Sequence, residues 1–129
     1  MTAFILDHPD EHSSKTSSLV PQFKRLVSKI FLTKHSVQDY ARRIGISTSH
    51  LRNTAKTVTG YAPGHIIRKK LVLETKRLLS HGNATVAEIG YRLSFKDQSY
   101  FGRFFKRESG MNPATYRRQI RKQYQVVPA

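Results

Sequence analysis

The chain has 129 residues, with 23 Lys+Arg against 8 Asp+Glu, so it carries a formal net charge of +15. That length holds one compact domain or two very small ones. The absence of cysteine removes disulfides, thiolate nucleophiles, iron–sulfur clusters and the common zinc-finger ligand sets. No apolar run approaches the ~20 residues of a membrane span, and none follows a basic start as in a signal peptide, so a soluble intracellular chain is expected.

The charge is uneven. Met1 to Ser18 hold Asp7, Asp10 and Glu11 against Lys15, a net of −2, which leaves +17 on Leu19 to Ala129. The polar, aperiodic leading segment, residues 1–18, reads as a disordered tail or linker remnant. The body calls for a polyanionic partner.

From Leu19 the apolar residues Leu19, Phe23, Leu26, Val27, Ile30 and Phe31 fall on one helical face, with Ser18 as cap and Pro21 in the first turn. Ser36 opens the next helix, with Asp39 placed to complete a capping box. Val37, Tyr40, Ala41 and Ile44 line one side, and Gly45 ends it. Ser47 caps a helix that turns Leu51, Ala55 and Val58 inward and stops before Gly60. A long helix follows over 63–80, opened by Pro63, with Ile66, Ile67, Leu71, Leu78 and Leu79 as its apolar positions.

Thr85 with Glu88 forms a second capping box before Val86, Ile89 and Leu93. Asp97 caps a helix carrying Phe101, Phe104 and Phe105 inward, up to Gly110. Asn112-Pro113 opens a last helix through Tyr116 and Ile120 to about residue 123, and residues 125–129 are expected to fray. The fold class predicted is all-α, with seven helices and no strand.

An internal repeat organises these helices. Residues 36–44 overlay residues 85–93 at an offset of 49, from Ser36 to Thr85. After a turn one residue longer in the second copy the offset is 50, pairing Leu51 with Phe101, Lys56 with Lys106, Gly60 with Gly110 and Pro63 with Pro113. Each copy, 36–60 and 85–110, is a capped helix, a short turn and a second helix. A tiny residue, Ala41 or Gly90, stands where the second helix must come close. That is a helix-turn-helix pattern. An α-solenoid pair is the competing architecture, but solenoids generally need three or more repeats to bury a continuous core.

The segment Ile89-Gly90-Tyr91-Arg92-Leu93-Ser94-Phe95, followed by Asp97 to Arg107 and Gly110-Met111-Asn112-Pro113, resembles the signature of AraC/XylS-type bacterial transcription regulators. The resemblance covers roughly Leu19 to Gln119. It implies a DNA-binding domain over 19–124, built from two helix-turn-helix subdomains joined by the 63–80 helix, with recognition helices in adjacent major-groove segments. The implied setting is the bacterial cytoplasm and nucleoid, with double-stranded DNA as partner and RNA polymerase as a further candidate. No cofactor is implied, and the chain leaves no room for a separate effector domain. Four departures stand out: Thr54-Ala55 replaces a Leu-Phe pair, Leu71-Val72 replaces Arg-Leu, Thr75 replaces Ala, and Ser94 occupies a turn position usually held by glycine, where serine is costlier.

Burial of the apolar positions leaves Thr48, Ser49, Arg52, Asn53 and Lys56 outward on the first recognition helix, and Gln98, Ser99, Gly102, Arg103 and Lys106 on the second. The positions that read bases in the family coincide with Ser49, Arg52, Asn53, Gln98, Ser99 and Arg103. Arginine suits guanine O6 and N7, and Asn or Gln suits adenine N6 and N7. Thr48, Lys56, Lys106, Arg117, Arg118, Arg121 and Lys122 are phosphate candidates, joined by the helix starts at Ser36 and Thr85. The aromatics Tyr91, Phe95, Tyr100, Phe101, Phe104, Phe105 and Tyr116 are assigned to the second subdomain's core.

Other classes fare less well. The six histidines show no His-x-x-His or His-Glu-x-x-His spacing and there is no glycine-rich phosphate loop, which argues against an enzyme. A membrane-surface peptide would want a dominant basic helical face with little core. A nonspecific RNA- or nucleoid-binding protein remains the rival, separated by whether binding has a preferred sequence.

Overall fold

The computed structural model describes residues 7–126. Within them run α1 (Asp7–Ile30), α2 (Val37–Ile44), α3 (Thr48–Thr59), α4 (Pro63–Ser80), α5 (Val86–Arg92), α6 (Gln98–Ser109) and α7 (Pro113–Val126), and no strand. The chain divides into two compact units. One holds α1 together with Ser36–Ile66; the other holds Phe31–His35 together with the described residues from Ile67 onward.

In the first unit α1, α2 and α3 pack on one another. Leu19, Val20, Phe23 and Val27 of α1 are buried with Tyr40, Ala41, Leu51 and Ala55. The helical backbone of α1 starts at Asp7, not at Leu19 as the polarity of the leading segment suggested. Once tertiary packing has nucleated a helix, each added residue gains a backbone hydrogen bond without a new nucleation cost. Pro21 consequently lies inside α1 and not in its first turn. The remainder of the expected tail, Met1 to Leu6, lies outside the described residues, as do residues 127–129. At the other end α7 continues to Val126, past the expected end near residue 123.

Ser36 caps α2 by accepting from the Gln38 N–H at 3.1 Å, but the expected capping box does not close. Asp39 instead accepts from Arg42 at 3.0 Å. Aspartate is one methylene shorter than the glutamate that completes such boxes, and Arg42 competes for it one turn on. Ser47 caps α3 on the His50 N–H at 3.0 Å, and Gly60, at φ 84°, closes it in the left-handed conformation.

Val58 is 63% exposed, against the expectation that it faces inward. The buried row runs through Leu51 and Ala55 to half-buried Thr59, a strict i, i+4 line that rotates Val58 out.

The second unit buries Phe31, Ile67, Leu71, Thr75, Leu79, Ile89, Leu93, Phe95, Phe101, Phe104 and Phe105. Thr75 meets its burial by donating to the Leu71 carbonyl at 2.8 Å. Phe95 sits among the rings of His35, Phe101 and Phe104, at centroid distances of 5.1, 5.0 and 5.2 Å. Burial holds the His35 imidazole below its ordinary range, against the opposing pull of backbone hydrogen bonds at Leu93 and Phe31.

The capping box at Thr85 is complete: its hydroxyl accepts from the Glu88 N–H at 3.0 Å, and its own N–H donates to the Glu88 carboxylate at 2.8 Å. Ser94 has φ 67°, the one positive φ on a non-glycine among the described residues. Its hydroxyl donates to the Leu32 carbonyl at 2.6 Å, an interaction glycine could not supply, which offsets the left-handed backbone.

The two units solve one packing problem with different side chains. A methyl built on Gly90 would lie 3.0 Å from the Phe101 ring and 2.9 Å from the Gln98 amide, so α6 approaches α5 closely because Gly90 has no side chain. At the equivalent positions of the first unit stand buried Ala41 and Leu51, a larger residue in place of the glycine and a smaller one in place of the ring. Likewise buried Tyr40 and Ala55 stand at the positions held by buried Ile89 and Phe105 in the second unit. The ring has moved from one helix to the other while total volume is roughly kept. The loss of the Leu-Phe pair at Thr54-Ala55 is thereby matched by Tyr40, which stacks edge-on with Phe23 at 5.5 Å.

Burial pushes the Tyr40 hydroxyl up to about 12. Because the unfolded chain ionises this phenol near ~10, its protonated form stabilises the fold fully below that pH, and the contribution is lost as pH rises toward about 12. Chemical denaturation across this alkaline window should show the loss, and Tyr40→Phe should blunt it. An equal pH dependence in Tyr40→Phe would place the titrating group elsewhere.

Candidate nucleic-acid interface

Both recognition helices start from a capped turn, and both are held by their apolar rows. α3 is anchored by Leu51 and Ala55; α6 by Phe101, Phe104 and Phe105. Asp97 caps α6 by accepting from the Ser99 and Tyr100 N–H groups at 2.9 and 3.2 Å. The opposite faces are thereby fixed toward solvent. On α3, Ser49, Arg52, Asn53 and Lys56 are exposed and Thr48 is half-buried. On α6, Ser99, Arg103 and Lys106 are exposed and Gly102 is half-buried. Ser49, Arg52, Asn53, Lys56 and Ser99, Gly102, Arg103, Lys106 are the same i, i+3, i+4, i+7 stripe, repeated.

The charges of these stripes are uncommitted, whereas several other basic residues are paired. Arg42 pairs with Asp39, Arg77 with Glu74, and Arg68 and Arg107 with Glu108. No ion pair among the described residues engages Arg52, Lys56, Arg103 or Lys106. An arginine held on a rigid helix with its full donor fork open to solvent is suited to a planar acceptor pair such as a guanine edge.

Four of the sequence-based assignments change. Gln98 is turned inward: its amide lies over Gly90, and its Nε2 is buried without a hydrogen-bond partner. It packs α6 onto α5.

Arg117 and Arg121 were expected at phosphates but serve the end of α4. Arg117 Nε donates to the Leu79 carbonyl at 3.1 Å and its Nη2 to that of Leu78 at 3.4 Å. Arg121 Nε donates to the Leu79 carbonyl at 3.3 Å and its Nη2 to that of Gly82 at 2.5 Å. The last carbonyls of a helix have no partner within it, and these guanidiniums supply one. Burial, then the neighbouring Arg121, lowers the Arg117 pKa from its ordinary value.

At Thr85 the backbone N–H is already taken by Glu88. Ser36, Arg118 and Lys122 stay exposed.

Two residues placed in the core by sequence are instead on the surface: Tyr91 is 65% exposed and Tyr100 47%. Tyr100 rests one edge near Phe95, at 5.9 Å between centroids, and otherwise faces solvent on the first turn of α6. The repeat carried a signal for this, since the partner of Tyr100 in the first copy is the polar, exposed His50.

Two units, each with a second helix carrying an open polar and basic stripe, define a tandem helix-turn-helix domain. The chain belongs to the AraC-type helix-turn-helix family of DNA-binding transcription regulators: the family model described as a helix-turn-helix domain matches residues 40–119. The chain is 26% identical over 117 residues to the Msm operon regulatory protein of Streptococcus mutans, covering 91% of this chain and 42% of that protein. It is 24% identical over 112 residues to the HTH-type transcriptional activator AarP of Providencia stuartii, covering 87% of this chain and 83% of AarP. The chain thus spans less than half the length of the streptococcal relative and most of the length of AarP. The fold is similar to that of the DNA-binding domain of AdpA, a global transcriptional factor whose crystal structure holds a target DNA. The TM-score is 0.70 at 23% identity, covering 86% of this chain and 96% of that one. No helix among the described residues is long and apolar enough to cross a membrane, and no cluster of His, Asp or Glu among them could hold a metal ion.

Proposed function

We propose that this chain binds double-stranded DNA sequence-specifically as part of a bacterial transcription regulator. α3 reads one major-groove segment through Ser49, Arg52 and Asn53, and α6 reads another through Ser99 and Arg103. Lys56 and Lys106, helped by Arg118 and Lys122, hold the phosphates. The observation that carries this reading is the repetition, in two units of different core composition, of one exposed stripe whose arginines and lysines have no ion-pair partner. Serine and lysine recur at its two ends, Ser49 with Ser99 and Lys56 with Lys106, although the residues behind the stripe change. The AdpA domain, seen with its target DNA, supports the same reading. AarP, named as an activator, extends it to RNA polymerase as a second partner in the bacterial cytoplasm.

Because α3 and α6 carry different side chains, the site should be non-palindromic, with two unlike half-sites bound by one chain. Selection from random duplex oligonucleotides, followed by titration of variants, tests this. Arg103→Ala should cost about 1–3 kcal/mol and relax preference at one or two base pairs, while Lys106→Ala should weaken all sequences alike. Selection that returns no motif would leave only nonspecific nucleic-acid binding. An Arg103→Ala variant with an unaltered motif would remove α6 as a reading helix.

A further inference from the structure

Gly102 is the anomaly of the second reading stripe. It lies inside α6, where glycine is the least favourable residue after proline. Its backbone is ordinary right-handed helix, since it is not among the glycines with positive φ. Nothing among the described residues requires it to be small: a Cβ built there meets no atom of them within 4 Å. Gly90 is the contrast, its missing side chain being explained by the Phe101 ring 3.0 Å away. The fold therefore gains nothing from Gly102 and gives up helix stability to keep it. Its place in the stripe is also informative, because the residue at the same position of α3 is Arg52.

We propose that Gly102 is a specificity-determining residue: its bare backbone lets α6 come into van der Waals contact with a base edge, at the place where α3 extends an arginine. This rests on the DNA-binding reading above. A Cα–H surface offers no donor or acceptor suited to a base's polar edge, so the group it fits is apolar, and in the major groove that is the 5-methyl of thymine. Ser99 and Arg103 flank the gap and frame it with polar groups. α6 thus reads partly by excluded volume, and the two recognition helices approach the groove floor to different depths.

Gly102→Ala separates this role from a structural one because its two effects have opposite signs. Its melting temperature should rise by about 3 °C, since a helix-favouring methyl enters open space. Its affinity for the site selected by the unmodified chain should fall about tenfold or more, with altered preference at a single base pair. Replacing the thymine of that pair with deoxyuridine should weaken the unmodified chain and leave Gly102→Ala unaffected. A stabilised variant with unchanged affinity and motif overturns the proposal. So does a loss spread evenly over all sequences, which would put Gly102 against the phosphates, or a lowered melting temperature, which would mean the space is not open. Indifference of the unmodified chain to deoxyuridine overturns the thymine assignment. If the unmodified chain selects no motif, the DNA-reading function itself fails; if it selects one that Gly102→Ala shares, only this inference does.

Discussion

Raising monovalent salt from about 50 to 200 mM should weaken binding to the DNA site by about two to three orders of magnitude. The field comes from the +17 carried on Leu19 to Ala129, but only charges that meet phosphates release counterions. The structure lowers the number available. Arg117 and Arg121 each commit two nitrogens to the carbonyls of Leu78, Leu79 and Gly82, and Glu88 takes the Thr85 N–H. Lys56, Lys106, Arg118 and Lys122 remain, with Arg52 and Arg103 at the groove. About four to six neutralised phosphates give a slope of roughly −4 to −5 in log affinity against log salt.

Titrations by fluorescence anisotropy at several salt concentrations read that slope directly. Lys106→Ala should reduce it by about 1, while Arg117→Ala should leave it unchanged and lower thermal stability instead. A salt-insensitive affinity would exclude the phosphate backbone as the principal contact. A loss of slope in Arg117→Ala would return that residue to the interface.

The helix starts and stops were legible because they depend on short-range chemistry. A serine, threonine or aspartate at Ser47, Thr85 or Asp97 needs only an N–H two or three residues on, and Gly60 and Gly110 need only their own backbone freedom. The apolar rows were legible where they repeat over several turns. The failures occur where a distant partner decides. Nothing near Arg117 in sequence says that the open end of α4, 38 residues earlier, will lie under it. Gln98 reads as outward from its spacing alone, and only the absence of a side chain on Gly90 draws its amide in. Val58, Tyr91 and Tyr100 are apolar or aromatic at positions the true packing rows miss by a fraction of a turn, which composition cannot resolve. The exposure of Ser49, Arg52 and Asn53 on α3 was legible, because they are outward by any register that buries Leu51.

Phe101→Ala should be the most destabilising single truncation of the second unit, at about 3–5 kcal/mol. The ring is fully buried, touches Phe95 at 5.0 Å between centroids and lies directly beneath Gly90. A glycine has no side chain with which to relax into the cavity, and Phe95 is already held by His35 and Phe104, so the void would stay largely unfilled. Because Phe101 also fixes the outward aim of Ser99 and Arg103, sequence preference at the α6 half-site should be lost with it, while the α3 half-site persists.

The reciprocal test uses the first unit's own solution. Gly90→Ala alone should destabilise, since its methyl would crowd the ring at 3.0 Å. Phe101→Leu alone should destabilise by leaving a gap. The two together recreate the Ala41 and Leu51 pair, and should cost less than the sum of the singles by more than about 0.5 kcal/mol in a denaturant double-mutant cycle. Costs that simply add would show that the match between Gly90 and Phe101 is not what seats the second recognition helix.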